Sequence, residues 1–515
     1  MPVNKDTLSR FYDEFSKFNE ASHEYEDQKI NAKEYKAVST SFGEYLQRDN
    51  HQMLRIRVPG GRMTMHMVRA ILDCCQYYHI DRLKITSGQA LQLHDLDPHA
   101  GRRLILRLLD NGIVTRGSGG DNPNNITASP LSGVEKGKYF DVQPYSDAAD
   151  AYLLKYTGIE PLPRKFKIGF SNSPLNETHA TIKDLGFVAN PDHTFDVYAA
   201  GGLGINPKLG ICVAKGVNPS KILYYMRTML DVYMENGNYK VRSKARSRFL
   251  QDTMGVDGFC KAFSTHLEEV LADGSLDIDV KERTYDKKGD GPITVQDPRL
   301  VPQKQPGLYA VSYHPMGGYL NSRKLEEIYQ KINQWDEVEI RLTPTGGLYV
   351  INCTASEAEE LLPLADGAIE GDISASVVCV GHKRCDIGIA DSQQLLRDCL
   401  AAVGKEGFSI GTLPAMHISG CISSCGSQHV GLIGWRGTVK KTPDGRKDAY
   451  LFSYGGSYLQ GKEKLAYGKQ TMLAEQIPAF LVTLGREVEK SGLPFSEWLK
   501  TNEARLNEIA DSFAV

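Results

Sequence analysis

Two spacings of apolar residues divide this chain into elements. Phe11, Phe15 and Phe18 recur at three- and four-residue steps inside a charged stretch, so residues 1–48 read as an arm of one or two amphipathic helices. At Leu54 the period shortens to two. Leu54, Ile56 and Val58 alternate with Arg55 and Arg57, the pattern of a strand buried on one face. Pro59-Gly60-Gly61 interrupts it, a helix-period stretch with Val68, Ile71 and Cys75 follows, and a second strand is expected from about Leu83 to Leu93.

The same pattern returns once. Adding 257 to Gly60, Gly61, Val68, Ile71, Cys75, Leu83, Ile85, Thr86, Leu91 and Leu93 gives Gly317, Gly318, Leu325, Ile328, Ile332, Ile340, Leu342, Thr343, Leu348 and Val350. Glycine meets glycine and apolar meets apolar without a gap, which points to duplication. A weaker echo pairs Val197 to Gly202 with Leu451 to Gly456 at an offset of 254. The expected fold class is therefore α+β and internally duplicated. Each half holds two modules, residues 49–115 and 116–280 in the first, 308–368 and 369–515 in the second. Residues 281–307, rich in Lys, Asp, Pro and Gly and without periodicity, read as a surface connection.

Charge and composition narrow the function. Sixty Lys and Arg against 63 Asp and Glu leave a formal net charge of -3, so no global positive field exists to hold a nucleic-acid backbone, and any basic site is local. No signal-length apolar run opens the chain and none spans a bilayer, so a cytoplasmic protein without a membrane partner is expected. Ten cysteines in such a chain read as reduced thiols or metal ligands rather than a disulfide framework.

Six of the ten, Cys74, Cys75, Cys212, Cys260, Cys353 and Cys399, are scattered and read as small apolar side chains. The other four form two short loops, Cys379 to Cys385 with five intervening residues and Cys421 to Cys425 with three, the second flanked by Gly420 and Gly426. Two such loops can place four thiolates around one soft metal centre. Zinc knuckles usually space ligands two to four residues apart, whereas bulkier iron-sulfur clusters take wider and unequal gaps; spacing leans towards a cluster and leaves zinc open. Local basic runs stand at Arg164-Lys165-Phe166-Lys167 and His382-Lys383-Arg384.

With these motifs the chain resembles the nitrite and sulfite reductases that carry siroheme coupled to a [4Fe-4S] cluster. Their pattern is C-x5-C followed some tens of residues later by G-C-x3-C-G, together with an Arg-Lys-Phe-Lys run ahead of a strand. The resemblance covers roughly Leu54 to the carboxyl end. It implies two ferredoxin-like half-domains (49–115 and 308–368) and two siroheme- and Fe-S-binding α/β modules (116–280 and 369–515) related by a pseudo-two-fold axis. It also implies that Cys379, Cys385, Cys421 and Cys425 ligate the cluster, with Cys425 bridging to the siroheme iron. Lys165 and Lys167 would bind the oxyanion substrate and deliver protons. Arg164, Gln89, Gln92, His94, Asn124 and Asn125 would line the cofactor.

Two departures from the family pattern concern the anion site. Thr86-Ser87-Gly88-Gln89 stands where members commonly read Thr-Thr-Arg-Gln, and Asn124-Asn125 where they read Arg-Asn, so two guanidinium groups are missing. Arg55, Arg57, Arg62 or Arg116 could enter in their place. The expected reaction is six-electron reduction of sulfite or nitrite; the alternative is a siroheme and Fe-S electron-transfer or tetrapyrrole-binding protein that has altered or lost anion reduction. No G-x-G-x-x-G fingerprint follows a predicted strand, so electrons are expected from a separate ferredoxin or flavoprotein.

Overall fold

A computed structural model describes residues 4–97 and 100–515; Met1 to Val3, the start of the expected arm, and Pro98-His99 lie outside it. The arm is a helical hairpin only as far as Ser39; Glu44–Leu46, expected within it, is the edge strand of the first sheet, paired with Gln52–Ile56. Helix Lys5–Glu26 opens on an Asn4 cap and buries Phe11, Phe15 and Phe18, and helix Ala32–Ser39 opens on a capping box of Asn31 and Glu34. Phe18 stacks on Phe42 at 4.9 Å, which fastens the hairpin to the first sheet's core.

The two half-domain sheets have five strands each, and each borrows one from the other half. Strand Tyr319–Asn321 closes the first sheet with Leu320 opposite Leu83, and strand Arg62–Met63 closes the other with Met63 opposite Ile340. The cause is the repeated glycine pair. Gly60 and Gly61 have φ of +60° and +73°, and Gly317 and Gly318 have +59° and +75°, a left-handed turn that throws the next residues across to the partner sheet. Both halves then share one core, in which Leu54, Ile71 and Leu83 meet Ile328, Ile340 and Val350. The segment expected as a plain connection also contributes, since Leu300–Pro302 forms an edge strand beside Tyr309–Tyr313. Three residues are too few to show a period in sequence.

The two remaining modules are topological twins. In each, a two-residue strand (Thr127–Ala128 or Val377–Val378) lies parallel to a four-residue strand (Ile168–Ser171 or Met416–Ser419), followed by the rest of a five-stranded sheet. Thr127 opposite Gly169 corresponds to Val377 opposite His417. Further along, Leu185 faces Ala199 and Ile433 faces Tyr454, so the equivalence there is 255 residues and not 254. The correction matters because a one-residue slip in a strand turns every side chain to the wrong face.

The twin relation reaches into the loops. Loops 172–184 and 420–432 have the same length, with Asn176 and His179 at φ +51° and +56° and Ser424 and Ser427 at +57° and +58°. The Asn172 N–H donates to Ser129 Oγ at 3.1 Å as the Gly420 N–H does to Cys379 Sγ at 3.1 Å. The Glu135 N–H donates to Leu131 O as the Cys385 N–H does to Gly381 O. Ser129, Glu135, Ser173 and Glu177 therefore occupy in the first module the places that Cys379, Cys385, Cys421 and Cys425 occupy in the second.

Candidate active site

Each cysteine pair follows a parallel strand of the second module, so the two loops leave the sheet side by side. Cys379 Sγ lies 3.1 Å from Ser392 Oγ as well as from the Gly420 N–H, and Cys421 is 8% exposed. Burial and the neighbouring Cys425 push the Cys379 and Cys385 thiols up, Cys385 to about 11, and Cys385 also senses Cys379 and Cys421. The four sulfurs thus share one region. All ten cysteines are free, and among the described residues no group of His, Cys, Asp or Glu is tight enough to hold a single ion. Four interacting thiols on two adjacent loops are a donor set that a [4Fe-4S] cluster takes.

A cationic cavity faces this centre. Phe166 is fully buried and zipped to residues 122–124, with the Asn124 N–H donating to Phe166 O at 2.8 Å and the Phe166 N–H to Asn122 O at 3.1 Å. Lys165 and Lys167, on either side of it, project to the opposite face. Neither ammonium has a hydrogen-bond or ion-pair partner among the described residues. Burial, then Lys167 and Arg246, pulls Lys165 down to about 7, and burial with Arg246 lowers Lys167; both also interact with Cys425. Each keeps some accessible surface.

Other cations complete the wall. Arg246 pairs with Asp184 at 2.7 Å, yet its Nε and the Nη1 of Arg248 are buried without a partner. Lys183 places Nζ 2.7 Å from Thr127 Oγ1. Sequence reasoning passed over these three. The legible signal was the alternation Arg242, Lys244, Arg246, Arg248, which puts four cations at every second position. Ser87 brings the first half-domain to the site by donating to Cys425 O at 3.1 Å.

Several expected cofactor contacts are instead structural. Arg164 does not face the cavity: it pairs with Asp121 at 2.8 Å, which also holds Arg242. Gln89 is fully buried, its amide donating to Ala128 O and Leu342 O and accepting from the Ala128 N–H, so no polar atom remains for a ligand. Asn125 accepts from the Val58 N–H and donates to Val58 O and Gly88 O, bracketing the Gly88 hairpin. Asn124 stays half-buried, donating only at 3.3 Å to Asn122 O and 3.5 Å to Gly117 O. His94 lies between Gln47 and Gln92, and burial followed by Lys84 pushes it down to about 3, so it is neutral.

The candidate replacements for the missing arginines divide likewise. Arg57 is committed to Asp150, Arg62 to Glu339 and Arg116 to Glu14; only Arg55 reaches the cavity, lowering Lys167 from its seat over Tyr45. In the second basic run, Arg384 clamps Asp95 at 2.9 and 3.1 Å, tying the first cysteine loop to the half-domain sheet.

Fold and site together define an internally duplicated protein in which four thiols on two adjacent loops stand beside a cluster of buried cations. Residues 45–108 match the nitrite/sulfite reductase ferredoxin-like half domain, and residues 119–271 match the nitrite and sulphite reductase 4Fe-4S domain. The second match falls on the module that carries Ser129, Glu135, Ser173 and Glu177, the twin of the one with the cysteines. Both matched models are those of nitrite and sulfite reductases. It is 26% identical over 433 residues to a ferredoxin–nitrite reductase of Synechococcus elongatus, covering 80% of each chain. It is 24% identical over 479 residues to a ferredoxin sulfite reductase of Mycolicibacterium paratuberculosis, covering 88% of this chain and 83% of the other. The Mycobacterium tuberculosis NirA structure shares the fold, with a TM-score of 0.77 over 93% of this chain and 92% of its own at 21% identity. Among the described residues no helix is long and apolar enough to cross a membrane.

Proposed function

We propose that this protein is a cytoplasmic oxidoreductase that reduces nitrite or sulfite by six electrons at a siroheme coupled to a [4Fe-4S] cluster, with ferredoxin as donor. The observation that carries the reading is the pair of unpartnered ammonium groups, Lys165 and Lys167, facing the Cys425 loop. A buried cation without a counter-charge is costly, so a cavity that collects them is built for an anionic occupant. The orphaned Arg246 Nε and Arg248 Nη1 fit the carboxylates of siroheme, and Cys379, Cys385, Cys421 and Cys425 supply the donor set of a [4Fe-4S] cluster. When bound, these groups would relay the donor's electrons and provide the iron at which the anion is reduced.

The protein's own part is binding and proton supply. Lys165 and Lys167 hold the oxygens of the anion, and each carries at Nζ a proton that bond cleavage demands. Burial and mutual repulsion bring Lys165 to about 7, so it can give up that proton near neutral pH. Arg55 adds charge beside Lys167. Gln89 and Asn125 act at one remove, holding the hairpin whose Ser87 touches the Cys425 backbone.

The test is the purified protein. A chlorin-like visible spectrum with iron and acid-labile sulfide, and consumption of nitrite or sulfite with reduced viologen, are expected. A colourless, iron-free protein after anaerobic reconstitution would overturn the reading. Bound siroheme without consumption of either anion would favour the electron-transfer alternative, to which the empty space beside Gly88 lends its one structural argument.

A further inference from the structure

Lys183 stands in the same cavity with a construction of its own. It closes loop 172–184, and its stem runs back over Gly169, where an added Cβ would meet Lys183 Cδ and Cε at 3.0 Å. A larger residue at 169 would press on that stem and on Thr127 Oγ1, also at 3.0 Å. Nζ then reaches Thr127 Oγ1 at 2.7 Å, and because that hydroxyl gives its own proton to Ile168 O at 3.2 Å, the ammonium is the donor between them. Its two remaining N–H bonds have no partner among the described residues. The adjacent Asp184 is already engaged by Arg246, the Ser247 hydroxyl and the Lys167 N–H.

Thr127 and Gly169 are paired in register on neighbouring strands, and Gly169 lies two residues beyond Lys167. The Lys183 head is thereby brought to the face that carries Lys165 and Lys167. The twin module has the opposite arrangement: Gly431 takes the place of Lys183, and His417, in the place of Gly169, fills the space, with a Cβ on Gly431 meeting His417 Cδ2 at 2.5 Å. The ammonium is therefore specific to the module that faces the cavity and is not part of the duplicated scaffold.

We infer that Lys183 is a third anion-binding ammonium of this cavity, supplying charge that Gly88 and Asn124 do not. The inference rests on the proposed siroheme reading. The ligand is a carboxylate or oxyanion group, either a side chain of the tetrapyrrole or the substrate, and the experiment separates the two sources.

Holoprotein of the wild type, Lys183→Met, Lys183→Arg and Thr127→Val is compared for siroheme per cluster and for optical titration with nitrite and sulfite. If Lys183 holds the substrate, Lys183→Met weakens anion binding about tenfold or more at unchanged siroheme content, the loss of one charge-assisted hydrogen bond. If it holds a cofactor carboxylate, siroheme content falls while the remaining holoprotein binds anions normally. In either case Lys183→Arg recovers part of the loss. Thr127→Val, which keeps the charge and removes its seat, shows a smaller change of the same kind and stands in should Lys183→Met not fold. Full siroheme content with unchanged anion affinity in Lys183→Met, or in Thr127→Val if that variant stands in, would overturn the inference. A wild type without siroheme would instead overturn the reading on which it rests.

Discussion

Restoring a guanidinium at position 88 tests the anion cavity most directly. Gly88 sits in the hairpin between strands Arg82–Ile85 and Leu91–Leu96, next to Ser87, whose hydroxyl touches the Cys425 backbone. The left-handed residue of this turn is Gln89, at φ +52°, and not Gly88. A Cβ at 88 would meet only Thr86 Oγ1, at 3.7 Å. Gly88→Arg therefore strains neither the backbone nor the Cβ position, and the loss of glycine freedom in the unfolded chain adds about 0.4–1 kcal/mol of stability. A guanidinium fork making two charge-assisted hydrogen bonds contributes roughly 3–6 kcal/mol at about 1.5–3 each. Ordering the side chain costs up to about 2 kcal/mol. Repulsion from Lys165 and Lys167 removes part of the rest, and about tenfold tighter nitrite or sulfite binding is the expected net. The assay is optical titration of the holoprotein beside Gly88→Gln, which has an amide but no charge. Unchanged affinity in Gly88→Arg, or an equal gain in Gly88→Gln, would show that position 88 does not address the anion.

Cys425→Ser should lose or uncouple both metal centres, whereas Cys399→Ser, in the buried core of the second module, should leave cluster iron and sulfide nearly intact; equal loss in both would refute the ligand assignment. Apoprotein stability should rise as pH increases from about 7 towards 10, because Lys165 and Lys183, each at about 7, have shed their protons in the folded state while the unfolded chain still binds them. A denaturant series across that range with a flat or falling midpoint would contradict it. By the same linkage, anion binding near pH 8 should take up protons from solution, measurable with a pH indicator, and binding without uptake would count against protonation of these lysines. Arg384→Ala should free the first cysteine loop from Asp95 and raise the rate of cluster loss in air, read as decay of the visible spectrum.

The duplication was legible because its signal is dense. Paired glycines and apolar positions at one ungapped offset report a core, and the cysteine loops report their own chemistry. Partners of polar residues were not legible. Gln89, Asn125 and Arg164 carry the right groups for a ligand, yet what each touches is fixed by chain segments 36 to 253 residues away. Arg246 and Lys183 were overlooked for the converse reason: a basic residue in sequence looks like a solvated face until folding buries it with donors to spare. The strand exchange is equally invisible, since Arg62–Met63 and Tyr319–Asn321 show only short patterns that are satisfied in either sheet.

That exchange sets an order of assembly. Residues 44–96 emerge from the ribosome early, but their sheet lacks its last strand until Tyr319–Asn321 has been synthesised, more than two hundred residues later. Until then the strand Arg82–Ile85 has an open edge. The cysteine loops come later still, beginning at Cys379. The cations of the first half are thus translated long before the thiols that face them, so the site is complete only once the second half has been made.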